Sequence, residues 1–517
     1  MSIPVPSTPR SEAEQILDLQ RRLTWAELKI QALEAELRLE RIKKYGPASE
    51  KLTSAQLALL EQEPGVSQVE VAAESERPPL PPAEEKPARS APSPTALEKR
   101  HHPGRQSLPA HLPRVERVIA CAPEQCACAH CGQPTQVIGY DTSEQLDVEP
   151  AKYFVLVTKR EKRGCASCAR GVTTAPAPAR IIEKGLASDR VVIDTVVAKY
   201  ADHVPLYRQS AMLARDAEVE IRRATMTGWV MRVGELLTPL VERMRRELLA
   251  GSYLQADETP VDVQTQEGRG KNHQAYLWQY GAPEKSVVFD FQLGRGREGP
   301  KQFLSGFSGI LQTDGYAAYE RVGGAGMVHA ACWTHARRKF VDALKLNASD
   351  AEVAQMVARI DALFGIDAEA RARGLDQAGR LALRQEQARP VLAALRQELE
   401  RVRRQALPSS VLGKAAQYTL SLWPKLIRFL EYAELELSNN LAENAMRGVA
   451  VGRKNWIHIG SAQAGPRVAA ILSVVESCRR LRIPVRDYLG EVLPGLASRT
   501  LPQLVQLTPV SWAARHR

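Results

Sequence analysis

Tyr253-Leu-Gln-Ala-Asp-Glu-Thr-Pro-Val-Asp-Val263 is the stretch on which the reading of this chain turns. A strongly helical pattern upstream gives way here to a period of two, the mark of a β-strand. Three more strands are expected over Ala275–Tyr280, Val287–Phe291 and Gly309–Gln312. Two aspartates sit in odd places: Asp257 ends Tyr-Leu-Gln-Ala, and Asp314 ends Ile-Leu-Gln-Thr ahead of Gly315-Tyr316. A carboxylate in or beside a buried strand is costly unless it is paired or binds a cation. A lone Asp more often starts a turn, so the pair gains weight from a third element. In Ser438-Asn-Asn-Leu-Ala-Glu-Asn-Ala-Met-Arg447, Glu443 stands in a polar helix start, one turn ahead of Arg447. That helix leads into Gly452-Arg-Lys-Asn-Trp456, whose Arg453, Lys454 and Trp456 suit phosphates and an unpaired base. Two strand-borne Asp and one helix-borne Glu can converge on two divalent cations. Such a pair activates a water or sugar hydroxyl and stabilises the leaving oxygen of a phosphodiester. With 59 acidic residues in the chain, spacing alone does not single out this triple.

Residues 186–250 are helical in period, with helices expected over Val191–Tyr200, Leu206–Ala214 and about Arg222–Val233. The last two, around a break at Asp216-Ala-Glu218, resemble a helix-turn-helix whose second helix carries Arg222, Arg223, Thr225 and Trp229. Before them, Cys128-Ala-His-Cys131 and Cys165-Ala-Ser-Cys168 form two CxxC knuckles separated by 33 residues. Four thiolates arranged in this way make a closed structural zinc site, and strands over Ser143–Val148 and Lys152–Lys159 would give a zinc ribbon. Cys126 or His130 can stand in for Cys128. Cys121, Cys332 and Cys478 have no evident pairing. Residues 64–113 hold eleven prolines and few aliphatics, so they form a linker. Its basic end, Lys99 to Arg105, suits either a DNA minor groove or a solvated tether. A short helix is expected over Ser49–Glu63. Nearer the N-terminus, Ile16, Leu23, Ile30 and Leu37 repeat every seven residues, with Leu19, Ala26 and Leu33 three later, the seam of a coiled coil.

The whole composition agrees. The 517 residues carry a formal charge of +11, with 44% hydrophobic and 25% charged residues, which suits a soluble multidomain protein with a polyanionic partner. No run approaches the roughly 18 apolar residues of a membrane span, and the first residues lack the pattern of a secretory signal. A reducing cytoplasm is the expected compartment, and nucleic acid the leading candidate for the polyanionic partner.

Several segments together, AYLWQY, LQTDGYAAY, CWTHARRKF, NNLAENAMR and VGRKNW, resemble the DDE transposases of the insertion sequence sixty-six family. YADHVPLYRQS, the double CxxC region and the heptad helix leading to KKYGPASEKL are similar too, in the same order over nearly the whole chain. The resemblance implies a multidomain α+β protein: an RNase H-like α/β catalytic core with an all-helical insertion, preceded by coiled coil, zinc ribbon and a helix-turn-helix-like region. Its expected parts are 1–63 (coiled coil and short helix), 64–113 (linker), 114–180 (zinc ribbon) and 181–250 (DNA-binding helices). There follow 251–344 (first part of the core), 345–430 (insertion), 431–490 (second part of the core) and 491–517 (a tail).

The activity implied is Mg²⁺-dependent cleavage and strand transfer at the ends of a mobile element, with two ions per site and Mn²⁺ as a substitute. Asp257, Asp314 and Glu443 match the three catalytic, metal-binding positions, the last two separated by 443 − 314 = 129 positions. His335, Arg337, Arg338 and Lys339 follow the second aspartate, where they can meet DNA phosphates. Arg105, Arg222, Arg223, Arg447, Arg453, Lys454 and Trp456 complete the expected DNA contacts. Asn444 and Lys271-Asn-His273 depart from the family pattern without removing a metal ligand. The expected partners are element-end and target DNA, at least one further copy of the chain, and short accessory proteins. An end-binding protein that does not cut, and a nuclease that does not join, are the competing readings.

Overall fold

The computed structural model describes residues 12–45, 133, 152–164, 172–183, 185–264 and 272–516. Two units are distinguished, Pro81–Val155 and the remainder of the chain, and the account below concerns the latter. Helix α1 (Glu12–Tyr45) is free of Gly and Pro and rich in Leu, Glu, Arg and Ala, all strong helix formers. Its seam residues Leu19, Leu23, Ile30, Leu33 and Leu37 are exposed. Near its C-terminal end Leu39 is buried, and Glu36 pairs with Lys414 at 2.9 Å.

Strands β1 (Lys162–Gly164) and β2 (Val172–Thr174) form a small antiparallel pair. The strand expected over Lys152–Lys159 is absent: these residues are irregular, and Val155 and Val157 are exposed. Alternating side chains do not make a strand without a neighbour to complete its hydrogen bonds, and no described strand pairs with this run. Its expected partner, Ser143–Val148, lies outside the described residues, as does the helix expected over Ser49–Glu63.

Helices α2 (Asp189–Tyr200) and α3 (Leu206–Ala217) precede a turn made by Glu218, whose φ of 55° ends α3 in the left-handed conformation. The next helix, α4 (Arg223–Leu249), runs far past Val233. Met226, Val230, Val233, Leu237, Leu240 and Met244 make one buried stripe at steps of three and four. Pro239 is tolerated because it faces solvent, where the carbonyl it leaves unpaired meets water.

The central sheet has the order β5 (Val287–Gln292), β4 (His273–Gly281), β3 (Tyr253–Val263), β6 (Ile310–Thr313), β7 (Val328–Ala331). Its first three strands are antiparallel neighbours, and β6 and β7 run parallel to β3. Pro260 falls where β3 has β4 as its only ladder partner, between its pairing to β6 and its short pairing to β8 (His458–Ile459), so the missing N–H is tolerated.

Helices α5 (Trp333–Leu346), α6 (Ala351–Ala372), α7 (Gln377–Leu383), α8 (Arg389–Gln405) and α9 (Val411–Ser421) build a second core around Met356, Ile360, Leu363, Leu395 and Leu399. Between α7 and α8 a π-helical turn, Arg384–Ala388, carries the buried Arg384. Its guanidinium donates to Asp367 and to the carbonyls of Phe429, Tyr432, Ala433 and Leu435.

The chain then enters α10 (Asn440–Trp456) and, after β8, α11 (Gly465–Leu481), which lies on edge strand β5 and against α4. Ser473 and Ser477 accept hydrogen bonds from the Phe289 and Val287 amides, blunting that edge. Close approach of α11 to α4 requires Gly234: a Cβ there would lie 2.6 Å from the Arg467 carbonyl oxygen. Residues 491–517, expected as a tail, instead pack Leu493, Leu496, Leu504 and Trp512 into the main core. The result is a multidomain α+β protein with a mixed sheet. Among the described residues no helix is long and apolar enough to cross a membrane.

Candidate active site

Register brings the two aspartates to the same end of neighbouring strands. Gln255 on β3 stands opposite Gln312 on the parallel strand β6, and each aspartate lies two residues further on. The end of β6 turns sharply at Asp314, whose Oδ1 accepts from the Tyr316 amide at 2.8 Å. Gly315 has φ +93°, and a Cβ there would also strike Leu422, so only glycine fits. Tyr418 on α9 donates its hydroxyl to the Asp314 carbonyl at 2.5 Å, so the helical layer braces this turn.

Glu443 arrives from the first turn of α10. The preceding segment is tied to both strands: Gln312 Nε2 donates to the Glu436 carbonyl at 2.6 Å, and Gln255 Nε2 to the Ser438 carbonyl at 2.9 Å. Glu443 Oε1 lies 3.6 Å from His335 Nε2, and Oε2 lies 3.5 Å from the Arg338 guanidinium. Both Glu443 Oε1 and His335 Nδ1 are buried without a hydrogen-bond partner, so His335 is not a satisfied core histidine.

The electrostatics report the same convergence. Burial, then the charges of Glu258, Asp314 and Glu443, push the Asp257 carboxyl up to about 7, against a hydrogen bond from the Glu258 amide. Burial holds His335 below the usual histidine value, while Glu443 and Asp314 pull the other way. Glu258 faces away from this group, raised by burial and held by Arg295 and the Tyr319 hydroxyl. Carboxylate oxygens are the hard donors that Mg²⁺ and Mn²⁺ prefer. A buried carboxylate oxygen without a donor, beside a second acid raised by burial and by its neighbours, fits a cation. The side chains stand apart all the same: among the described residues no three His, Cys, Asp or Glu groups are close enough to cage an ion.

The other expected site residues divide. Arg447 and Lys454 are exposed and lie on the same face of α10 as Glu443, four and eleven residues on. Arg338 is exposed beside Glu443, and Arg222 and Arg223 are exposed at the start of α4. Arg337 is engaged with Asp361, and Arg453 holds Thr259 Oγ1 and the Pro260 carbonyl. Trp456 requires correction as a base-stacking residue. It falls on the opposite face of α10 and is buried in the main core, with Lys199 over its ring. Trp229, expected on a DNA-facing helix, is buried likewise. Cys332 and Cys478 are buried free thiols. Arg105, Cys128, Cys131, Cys165 and Cys168 lie outside the described residues.

Sequence reasoning passed over Gln255 and Gln312. Their signal was a repeated tetrad, Leu-Gln-Ala-Asp257 and Leu-Gln-Thr-Asp314, read for its acids alone. Tyr418 carried no signal at all.

Residues 184–467, more than half of the chain, match the family model described as Transposase IS66 family. The chain belongs to the IS66 transposase family. Residues 125–169 match the zinc-finger binding domain of IS66 transposases, which spans all four knuckle cysteines, and residues 32–117 match the model described as Transposase C of IS166 homeodomain. The family relatives include the uncharacterized protein y4jD of Sinorhizobium fredii, 33% identical over 80% of this chain and 84% of that protein. Two others from the same organism are y4qI, 35% identical over 76% and 74%, and y4hP, 29% identical over 94% and 88%.

Proposed function

We propose that this IS66-family chain is a DNA transposase that cuts insertion-element ends and joins them to target DNA. The observation that carries the reading is the placing of Asp257, Asp314 and Glu443 on β3, the end of β6 and the first turn of α10, where burial and then the neighbouring acids raise Asp257. The sheet order, with three antiparallel strands followed by two parallel ones, supports an RNase H-like core. Asp257, Asp314 and Glu443 would hold two Mg²⁺ ions. When bound, such ions activate the attacking hydroxyl and stabilise the leaving oxygen of a phosphodiester. The protein's own part is to position the strands and balance their charge. Arg338 beside Glu443, and Arg447 and Lys454 along its helix face, suit the phosphates flanking the scissile bond. Cys128, Cys131, Cys165 and Cys168 would hold a structural zinc. The location proposed is the bacterial cytoplasm, on the nucleoid when DNA is bound.

The exposed seam of α1 suits a second copy. In a parallel pair Arg22 of one copy would face Glu27 of the other, and Lys29 would face Glu34. Two protomers so joined can bring two element ends together.

The test is incubation of the full chain with labelled DNA carrying the flanking inverted repeats and Mg²⁺, beside Asp314→Asn. Mg²⁺-dependent nicks and joined products, absent in the variant, are expected. Cut ends that are never joined would replace the proposal with a nuclease, and specific binding without cutting with an end-binding protein.

A further inference from the structure

We propose that Gln255 and Gln312 are positioning residues of the acidic cluster, a pair of amides that staples the segment carrying Glu443 to the strands carrying Asp257 and Asp314. This rests on the metal-binding reading above and adds to it the device that sets the spacing of the three carboxyl groups.

Each glutamine stands two positions before its aspartate: Gln255 shares a face of β3 with Asp257, and Gln312 lies in β6 just ahead of the turn at Asp314. The two glutamines are in register on neighbouring parallel strands and are 1% and 0% exposed. Burying an amide is costly unless its hydrogen bonds are made. Here they are made to one segment in particular. Gln312 Nε2 reaches the Glu436 carbonyl at 2.6 Å, and Gln255 Nε2 the Ser438 carbonyl at 2.9 Å. Gln255 Oε1 accepts from the Ala442 amide at 3.3 Å, an N–H in the first turn of α10 that it shares with the Asn439 carbonyl. The Tyr253 hydroxyl joins the pair, donating to Gln312 Oε1 at 2.5 Å and accepting from Gln255 Nε2 at 2.7 Å.

A pair of apolar residues would fill this space and leave the segment free to slide. Two amides with fixed partners on residues 436, 438 and 442 do not allow that. Three like charges gathered in a partly buried place repel one another, so the helix start that bears Glu443 needs an anchor on the same strands as the aspartates. Groups that orient metal ligands in this way typically change metal affinity by 10- to 100-fold when removed.

Gln255→Met and Gln312→Met keep the length of the side chain and remove both donor and acceptor. The measurement is Mn²⁺ affinity of the full chain by electron paramagnetic resonance titration, well below the melting transition, beside Asp257→Asn and metal-free melting curves. The wild type is expected to bind Mn²⁺ and Asp257→Asn to lose that binding. Each Met variant, folded at the temperature used, is expected to bind about tenfold more weakly. A purely structural role would lower the melting temperature and leave the affinity unchanged. Wild-type affinity in both Met variants overturns the staple and leaves the carboxylate reading standing. No Mn²⁺ binding by the wild type, or binding indifferent to Asp257→Asn, overturns the reading beneath it and the staple with it. If a Met variant does not fold, Tyr253→Phe removes the hydroxyl that joins the glutamines and keeps the ring. The same weakening is then expected, and unchanged affinity overturns the staple.

Discussion

Asp257 shows how a single buried acid ties the site to pH. Its folded value, about 7, lies above the ordinary 3.8, so the folded protein holds this proton more tightly than the unfolded chain does. The stabilising contribution is therefore complete below about pH 4 and is lost as pH rises toward 7. Removing the charge should recover it. In the absence of divalent ions, Asp257→Asn should melt higher than the wild type at pH 8 and little differently at pH 4, a difference of at most a few kcal/mol. Melting curves in a chelator across that range check this, and a difference that does not grow with pH would show the carboxyl to be well solvated. Added Mg²⁺ should raise the wild-type melting temperature more at pH 8 than at pH 6, because binding displaces the proton.

At the scale of elements, α10 is a two-faced helix. Glu443, Arg447 and Lys454 follow one side, and Met446, Val449 and Trp456 face the core. Replacing Arg447 and Lys454 together by Glu should weaken DNA binding and flatten its salt dependence by roughly two phosphate contacts, read from binding isotherms at several salt concentrations. An unchanged slope would move the DNA path off this helix. For α1 the expected behaviour is self-association through Leu23, Ile30 and Leu37, all exposed in the single chain. Deleting residues 1–45 should lower the mass seen by light scattering. If the mass holds, the seam packs elsewhere.

Taken whole, the molecule depends on contacts between parts far apart in sequence. Residues 333–437 share a core with Tyr253, Ile310, Ala330 and Ala331 of the sheet, Tyr418 and Leu422 brace the Asp314 turn, and Arg384 holds the segment that leads to Glu443. Chemistry and helical layer are thus mechanically joined. The zinc-finger match predicts one ion held by four thiolates. Metal analysis of the full chain should find zinc, and Cys165→Ser should lose it, while Asp314→Asn retains it. Zinc retained in Cys165→Ser would remove Cys165 from the ligands, whereas zinc retained in Cys128→Ser would point to Cys126 or His130 in its place.

Most elements were legible because helix and strand periods are local. Tyr253–Val263, the three strands after it and the stripes of α6 and α8 all follow from patterns a few residues long. The residue types for metal and phosphate chemistry were legible as well, since few side chains suit those ligands. What local pattern does not contain is direction and distance. Lys152–Lys159 alternates but has no partner strand among the described residues, and α4 continues to Leu249 because the whole helix has a core to cover. Trp456, basic neighbours notwithstanding, turns inward because thirteen residues beyond Glu443 is the far side of the helix. The sequence by itself determined the elements and the kinds of chemistry available. Only the tertiary structure decided that Asp257 feels the charges of Asp314 and Glu443, and that two glutamines bond the segment leading to Glu443. That outcome depends on strand register and on hydrogen bonds spanning up to 187 residues, which no local period encodes.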